Sequence, residues 1–414
     1  MERHANAAAG LSRRALLKTG AAAMASVAAP HIARADDGPI RIGFPTPLTG
    51  PFGAEAKDQV RSATLAIKQF NDAGGLNGRM AELLVRDDKL NPGEAATRTL
   101  ELIEKDKANF IVGALSSSVQ LSVNEVTRAR GVLYISISQS DTINEAKDFS
   151  RFTFHEAMNP QMTTGAVARY AFKKGMKVAY LIADYAYGNE MLVAFKRNAA
   201  PIGVQTVAEI KHPLGAPDYS AYMPQLLSLA PDVVCICNFG RDQANSIKQA
   251  GDFGLKTASK IVVPVLLHNQ RLAAGAEAFE GVVGATNYYW GLENRVDSAK
   301  AFNDAFRAAN DGAIPTDYGT YGYTGVRSLL MAVKAAGGTD TDKVIAALEA
   351  LKYDVAKGPE FYRKCDHQAV QSVFVIESKP KSAMKGDMDF FEVVATEAGD
   401  PARLRSCEEL GHKA

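Results

Sequence analysis

Three consecutive serines lie at a strand-to-helix junction whose chemistry suits a small anion. The apolar run 109–113 is typical of a buried strand, and residues 118–129 have the spacing of a helix. Ser116, Ser117 and Ser118 therefore lie where free backbone N–H groups, hydroxyls and the positive end of a helix dipole meet. One serine would simply cap the helix. Three, at the end of a strand in a parallel sheet, favour a site for a carboxylate or a similar anion.

Alternating strands and helices must position these serines. From residue 39 to residue 286, short apolar runs alternate with segments of helical spacing, and Asn91, Pro92 and Glu94 form a typical helix start. This alternation predicts an α/β fold with parallel sheets covered on both faces. Three helical segments then follow, and the chain ends in two strand-like runs. That order indicates that the chain returns to complete its first α/β unit.

Length and charge limit the classes of function. A chain of 414 residues fits two domains of ordinary size. Its formal net charge of +1 is not that of a nucleic-acid binder. Beyond the N-terminus, no run is long and apolar enough to cross a membrane. We therefore expect a globular protein without nucleic-acid partners.

The N-terminus is similar to a twin-arginine export signal. Arg13 and Arg14 precede an apolar run over 21–29, and residues 33–35 supply an A-x-A cleavage pattern. Ala15 stands where such signals usually carry an aromatic residue, so ordinary Sec export remains the alternative. Cleavage after Ala35 would release residues 1–35, and with no cysteine to lipidate, the mature chain would be free in the periplasm.

The four cysteines form two pairs of different character. Cys235 and Cys237 are two apart on one strand, so they point to the same face, a spacing poor for a disulfide. Buried packing is the better interpretation for this pair than metal binding. Cys365 and Cys407 are both in the C-terminal part, where a disulfide between them would hold the tail in an oxidising compartment.

Common enzyme motifs are absent from the sequence. It contains neither a G-x-S-x-G elbow nor a phosphate-binding P-loop, and it has no H-E-x-x-H and no strand-linked G-x-G-x-x-G. A binding protein is therefore favoured over a secreted enzyme. We expect no cofactor and no metal site.

Four ordered motifs resemble the branched-chain amino-acid type of ABC-transporter substrate-binding proteins. They span residues 47–53, 70–78, 185–188 and 358–368. The resemblance implies a type I periplasmic binding fold, in which two α/β lobes joined by three crossovers close on a small solute. The expected lobes are residues 36–156 with about 289–363, and residues 157–288 with about 364–414.

The resemblance also implies partners. A protein of this type works as a monomer that delivers its solute to ABC permease and ATPase subunits in the inner membrane. The alternative is a sensory module of the same fold, an amide or acid sensor that feeds a signalling partner.

The same resemblance assigns ligand-binding positions. It places an aromatic cover at Phe52 and carboxylate donors on two strand-end loops, and it places further contacts on two loops of the second lobe. His268, a strand-end histidine near the rim of the second lobe, is added from its position and is ranked lower. These positions are Phe52, Ser116, Ser117, Ser118, Ser138, Gln139, Ser140, Tyr187, Asn238, Phe239 and His268.

One departure from the family concerns the ligand's amine. Amino-acid binders of this type carry an acidic residue near the end of a second-lobe strand, whereas residues 263–269 contain none. A buried ammonium without a partner costs several kcal/mol. Asp184 or Glu156 would replace the missing acid; otherwise the ligand is an aromatic or aliphatic acid, or an amide-like solute.

Other conspicuous residues have structural interpretations. The aromatic run 287–291 would either wall the cleft or pack at a hinge. Tyr318, Tyr321 and Tyr323 head a helix and indicate core or interface packing. Asp366 and His367 would form structural hydrogen bonds near the last crossover.

Overall fold

Five parallel strands form the first sheet of the computed structural model, which describes residues 38–413. Their order is β2-β1-β3-β4-β5. Every residue of β3 and β4 is buried, as expected for parallel strands covered on both faces. The strands are β1 (Ile40–Thr46), β2 (Ala81–Asp87), β3 (Phe110–Gly113), β4 (Leu133–Ser136) and β5 (Thr153–His155).

Three helices connect these strands. They are α1 (Gly53–Asp72), α2 (Pro92–Glu104) and α3 (Ser117–Arg130). The start of α2 is as its sequence predicts: the Asn91 side chain accepts a hydrogen bond from the Glu94 backbone N–H, and Pro92 is the first helical residue.

Seven strands form the second sheet, in the order β15-β14-β10-β9-β8-β6-β7. The five strands from β6 to β10 are parallel, whereas β14 pairs antiparallel with both β10 and β15. The strands are β6 (Lys177–Ala183), β7 (Gln205–His212), β8 (Val233–Cys237), β9 (Lys260–Val265), β10 (Val283–Thr286), β14 (Val373–Ser378) and β15 (Phe391–Glu397).

Seven helices in the described chain accompany the second sheet. Two of them, between β9 and β10, are short and were not expected from the sequence. The helices are α4 (Pro160–Ala171), α5 (Ala186–Ala199), α6 (Met223–Ser228), α7 (Arg241–Asp252), α8 (Leu255–Ala258), α9 (His268–Ala274) and α10 (Ala276–Phe279).

After β10 the chain returns to the first sheet. Helices α11 (Asp297–Ala309), α12 (Asp317–Ala336) and α13 (Thr341–Ala350) follow, and α12 packs along α1 and against β3 and β4. A Cβ atom at Gly322 would lie 2.1 Å from the Gln59 backbone oxygen. Glycine at this position therefore permits the close approach of α12 to α1.

A small antiparallel sheet carries the chain back to the second sheet. It consists of β11 (Lys352–Tyr353), β12 (Glu360–Tyr362) and β13 (Ala369–Val370). A bridge between His155 and Gln368 joins it to the last strand of the first sheet. The chain thus passes between the two large sheets three times.

A disulfide holds the C-terminal tail. Cys365 and Cys407 are bonded, with their Sγ atoms 2.04 Å apart, whereas Cys235 and Cys237 are buried free thiols. No helix within residues 38–413 has the length and apolar character needed to cross a membrane. The export signal inferred for residues 1–35 lies outside the described residues.

Candidate functional site

The expected site residues lie at the carboxyl ends of the strands of both sheets. Most of them directly precede or begin a helix, because each βα connection ends in a helix N-terminus at this edge. Ligands of open α/β sheets bind at such an edge. From the first sheet come Phe52 after β1, Ser116–Ser118 after β3 and Ser138–Ser140 after β4; from the second come Tyr187 after β6, Asn238 and Phe239 after β8, and His268 after β9.

The three serines after β3 do not cap their helix through side chains. Ser116 is the N-cap of α3, yet its hydroxyl makes no capping hydrogen bond. The Ser117 hydroxyl instead donates to the backbone oxygen of Gln139 and joins the two strand-end loops. Ser116 and Ser117 are buried, and Ser118 is half-buried. The first turn of α3 therefore keeps its backbone N–H groups free of serine caps.

The turn after β4 carries unpaired donors and acceptors. The Ser138 hydroxyl and both polar atoms of the Gln139 amide are buried without a hydrogen-bond partner. Ser140 differs, because its hydroxyl donates to the Glu190 carboxylate at 2.9 Å. The backbone oxygen of Ser138 contacts Nε2 of His155 at 2.6 Å. The structure thus fixes the main chain of this turn and leaves two of its side chains unbonded.

Aromatic rings from both sheets meet at the same strand-end edge. The Phe239 ring centroid lies 4.8 Å from that of Phe52, 5.8 Å from that of Tyr187 and 4.7 Å from that of Tyr318. Tyr185 adds a fifth ring, stacked on Tyr187 at 5.9 Å. We call these five rings the aromatic cluster.

The Tyr187 hydroxyl adds an unpaired polar atom to the aromatic cluster. It is buried without a hydrogen-bond partner, and burial raises the pKa of Tyr187, so the phenol stays protonated. The aromatic cluster and the turn after β4 both lie at the strand ends, and apolar rings with a few unpaired polar atoms are the usual lining of a small-molecule site.

Gly240 lets the two sheets approach at the aromatic cluster. Its φ of +58° is a left-handed conformation, and an added Cβ would lie 2.7 Å from the Phe52 ring. A larger residue would push Phe52 away from Phe239.

Two of the expected ligand contacts are engaged elsewhere. The Asn238 amide bonds His212 at 2.7 Å and Ser246 at 3.1 Å. The His268 ring packs on Phe390, with centroids 4.8 Å apart. Burial, with the nearby charge of Arg271 as a lesser cause, lowers the pKa of His268 to about 4 and keeps its ring neutral. In this arrangement protein partners occupy the Asn238 amide and the His268 ring is packed and neutral; a ligand contact at either residue stays a prediction.

Both candidate amine partners already face a lysine, although Oε1 of Glu156 accepts no hydrogen bond. Asp184 is exposed and pairs with Lys211 at 2.9 Å. Glu156 is fully buried, with Lys357 at 3.2 Å and a hydrogen bond from the Tyr362 hydroxyl at 2.9 Å. Lys357 also pairs with the buried Glu360, so Glu156 belongs to a charge network at the crossovers.

Three other buried carboxyls lie beside the aromatic cluster. Asp317 precedes Tyr318, Glu55 follows Phe52 by three residues, and Asp242 follows Phe239 by three. Among the described residues none of the three pairs with a cation, and Glu55 and Asp242 each keep one unbonded oxygen. Burial raises the pKa of all three, that of Asp317 to about 7. This edge of the sheets is therefore rich in buried acid.

Neither Tyr185 nor Tyr318 is selected as a site residue from the sequence. For Tyr318 one signal is present, its position at the start of a helix. Tyr187 and Tyr318 are each the second residue of a helix that begins at the strand-end edge.

The aromatic run 287–291 lies elsewhere. Tyr289 and Trp290 line a cavity of about 600 Å³, where the indole N–H of Trp290 donates to the Met388 backbone oxygen. Within residues 38–413 no group of His, Cys, Asp and Glu side chains is arranged to hold a metal ion.

Comparisons with known proteins agree with this architecture. A family model described as "periplasmic binding protein" matches residues 39–384. The Leu/Ile/Val-binding protein homolog 1 of Brucella abortus (strain 2308) is 27% identical over 339 residues, which make up 81% of this chain and 88% of that protein.

Solved structures extend the likeness to the fold. A periplasmic binding protein from Burkholderia mallei matches with a TM-score of 0.81 at 27% identity, over 90% of this chain and 97% of that chain. A solute-binding protein of an ABC transporter from Rhodopseudomonas palustris BisB5, in complex with 3,4-dihydroxybenzoic acid, matches with a TM-score of 0.78 at 25% identity, over 89% and 100% of the two chains. These relatives are solute-binding proteins rather than enzymes. The chain belongs to the periplasmic binding protein family. It has the type I periplasmic binding fold and resembles the binding proteins of branched-chain amino-acid transporters.

Proposed function

We propose that this protein is the extracytoplasmic solute receptor of an ABC importer and that it captures a small carboxylate-bearing solute between its two lobes. One observation carries the proposal: the Ser138 hydroxyl, the Gln139 amide and the Tyr187 hydroxyl are buried and unpaired at the strand ends where the aromatic cluster lies. A buried polar group without a partner costs about 1–3 kcal/mol. A ligand that bonds these groups removes that cost.

The chemistry of the site narrows the solute class. Hydroxyls, an amide N–H and the free backbone N–H groups of α3 suit a carboxylate, and the aromatic cluster suits an apolar or aromatic body. The names of the relatives cover both kinds of body, since one is a Leu/Ile/Val-binding protein homolog and another binds 3,4-dihydroxybenzoic acid. A branched-chain or other amino acid, or an aromatic or aliphatic acid, therefore fits the site.

The buried carboxyls bear on whether the solute carries an amine. Asp184 and Glu156 are engaged by lysines, whereas Glu55, Asp242 and Asp317 have no cationic partner among the described residues. If the ligand is an amino acid, its ammonium would pair with one of these three. If it is a simple acid, burial would favour the protonated form of these carboxyls, because it raises the pKa of each.

The contact between Phe52 and Phe239 supports capture by lobe closure, because the two rings come from different sheets. Residues 36–156 with about 289–363 would form one lobe, and residues 157–288 with about 364–414 the other. Ligand would stabilise the closed arrangement through its contacts with both lobes. After export and cleavage behind Ala35, the monomer would deliver its solute to permease and ATPase subunits.

A thermal-shift screen with matched compounds tests the proposal. The panel pairs leucine with 4-methylpentanoate, phenylalanine with 3-phenylpropanoate, and benzoate with benzamide. A ligand at one hundred times its dissociation constant adds about 2.7 kcal/mol of stability and raises the melting temperature. We expect at least one carboxylate to do so and benzamide to do nothing.

The pattern of shifts decides each part. If an amino acid binds and its deaminated partner does not, the ammonium is assigned to the buried carboxyls. If only the deaminated partner binds, an ammonium contact is excluded. A panel in which no carboxylate shifts the melting temperature would contradict the proposed solute class.

A further inference from the structure

Glu190 lies between the two halves of the candidate site. It belongs to α5, one helical turn after Tyr187, and its carboxylate faces the end of the turn that begins with Ser138 and Gln139. No sequence pattern singles out Glu190, because a lone glutamate inside a helix is usually a solvated residue.

Three consecutive residues of the turn donate hydrogen bonds to this carboxylate. The Ser140 hydroxyl lies at 2.9 Å, the Asp141 backbone N–H at 2.6 Å and the Thr142 hydroxyl at 2.9 Å. The Thr142 backbone N–H adds a longer contact at 3.4 Å. One side chain of the second sheet's helix thus anchors the whole segment after Gln139.

This anchor completes the fixation of the polar turn. His155 contacts the Ser138 backbone oxygen and Ser117 donates to that of Gln139, so both earlier residues are held from the first sheet. Glu190 holds the other end from the helix that carries Tyr187. The unpaired groups of Ser138, Gln139 and Tyr187 are therefore placed relative to one another partly through Glu190.

Glu190 faces one other acidic side chain, Asp141, which is itself paired with Arg197. Among the described residues it has no ion-pair partner, and the nearest charged group on the facing segment is Asp141. Arg197 pairs with Asp141 at 2.9 Å rather than with Glu190, and Arg405, the next cation near Asp141, bonds Glu145. Burial, with the charge of Asp141 as the second cause, raises the pKa of Glu190 to about 7.

We propose that Glu190 is the positioning residue of the Ser138–Ser140 turn and that it couples capture of a carboxylate solute to the uptake of one proton. This inference rests on the proposed function. An anionic ligand beside Ser138 and Gln139 places a second negative charge near Glu190, which disfavours its ionised form. The proton comes from solvent, and the ligand stays anionic. The protonated carboxyl still accepts from Asp141 and can donate to a hydroxyl oxygen of Ser140 or Thr142.

The sign of the effect follows from linkage. If the bound state holds one proton more than the free state, the dissociation constant rises with pH, by at most tenfold per pH unit. Because the proton is exchanged near neutral pH, binding should be tighter at pH 6 than at pH 8.

Calorimetric titration of E190Q and E190A, with the panel carboxylate that gives the largest thermal shift, tests both parts. For the wild-type protein we expect about tenfold weaker binding at pH 8 than at pH 6. E190Q keeps an acceptor for Asp141 but cannot ionise, so the difference between its affinities at the two pH values should be smaller than in the wild type, with Asp317 as the source of what remains. E190A should bind at least about tenfold more weakly at both. E209Q is the matched control. Glu209 pairs at the surface with Lys196, which is on the same helix as Glu190, and the E209Q variant should behave as wild type.

Amide hydrogen exchange adds a measurement that needs no ligand: the Asp141 amide should exchange faster in E190A than in wild type. Equal wild-type affinities at pH 6 and pH 8, or an E190Q variant that keeps the wild-type pH dependence, would overturn the proton coupling, and this comparison stands even if E190A fails to fold. Wild-type affinity of E190A would overturn the positioning role. A panel without any binding carboxylate would instead overturn the proposed function, and this inference with it.

Discussion

At the scale of single residues, substitution of Gln139 should weaken ligand binding without lowering the stability of the protein. Its amide is buried with both polar atoms unpaired. Gln139→Leu removes a buried group that bonds nothing in the protein, so the melting temperature should stay the same or rise. Loss of its hydrogen bond to a ligand carboxylate should weaken binding by about 1.5–3 kcal/mol, roughly tenfold to a hundredfold. Thermal unfolding and titration of the same variant measure the two effects.

Gln243 is the matched control for that prediction. Its amide donates to the Val265 backbone oxygen at 2.7 Å and accepts from the Leu267 N–H at 3.3 Å. Gln243→Leu leaves both backbone groups unpaired and should cost about 1–3 kcal/mol of unfolding free energy. A Gln139→Leu variant that is equally destabilised, or that binds as wild type does, would argue against a ligand role for Gln139.

The sequence located the loops of the candidate site better than it assigned their side chains. Phe52, Ser138, Gln139, Tyr187 and Phe239 lie together at the strand ends. By contrast, the groups of Ser140, Asn238, Asp184 and Glu156 bond Glu190, His212, Lys211 and Lys357. All four of these partners lie at least 26 residues away along the chain. Local pattern shows which residues reach an edge, but distant partners decide which of them stay unbonded.

At the scale of elements, the packing of α12 against α1 depends on Gly322. In the interior of a helix, alanine is normally more stabilising than glycine by about 1 kcal/mol. At this position its Cβ would meet the Gln59 backbone oxygen, which no side-chain rotation can move. We expect Gly322→Ala to lower the unfolding free energy by about 1–3 kcal/mol. Gly338→Ala, where nothing lies within 4 Å of the added atom, should be near neutral in the same urea titration.

Element lengths explain which parts of the fold the sequence predicted. Helices of ten or more residues and the strands of the two large sheets follow clear periodicities, and the return of α12 to the first sheet agrees with the late helical block. The strands β11 to β13 have two or three residues each, and α8 and α10 have four. Such segments are too short to show a period, and their pairing is set by the crossovers around them.

At the scale of the whole molecule, the Cys365–Cys407 disulfide closes a loop of 42 residues that contains β13, β14 and β15. Cross-linking of this span removes chain entropy from the unfolded state worth about 4 kcal/mol. Reduction, or the paired change C365S with C407S, should lower the unfolding free energy by that order in a urea titration. Equal midpoints for oxidised and reduced protein would show that native contacts alone hold the tail.

The two remaining cysteines are unreactive in the folded protein. Cys235 and Cys237 are fully buried in β8, and burial raises the pKa of both thiols, so neither forms a reactive thiolate in the folded protein. A single cysteine introduced on the surface would then be the one site that a maleimide dye modifies. The native chain therefore needs no cysteine removal before it carries a fluorescent label, and a dye beside the Phe52 loop would turn solute capture into an optical signal.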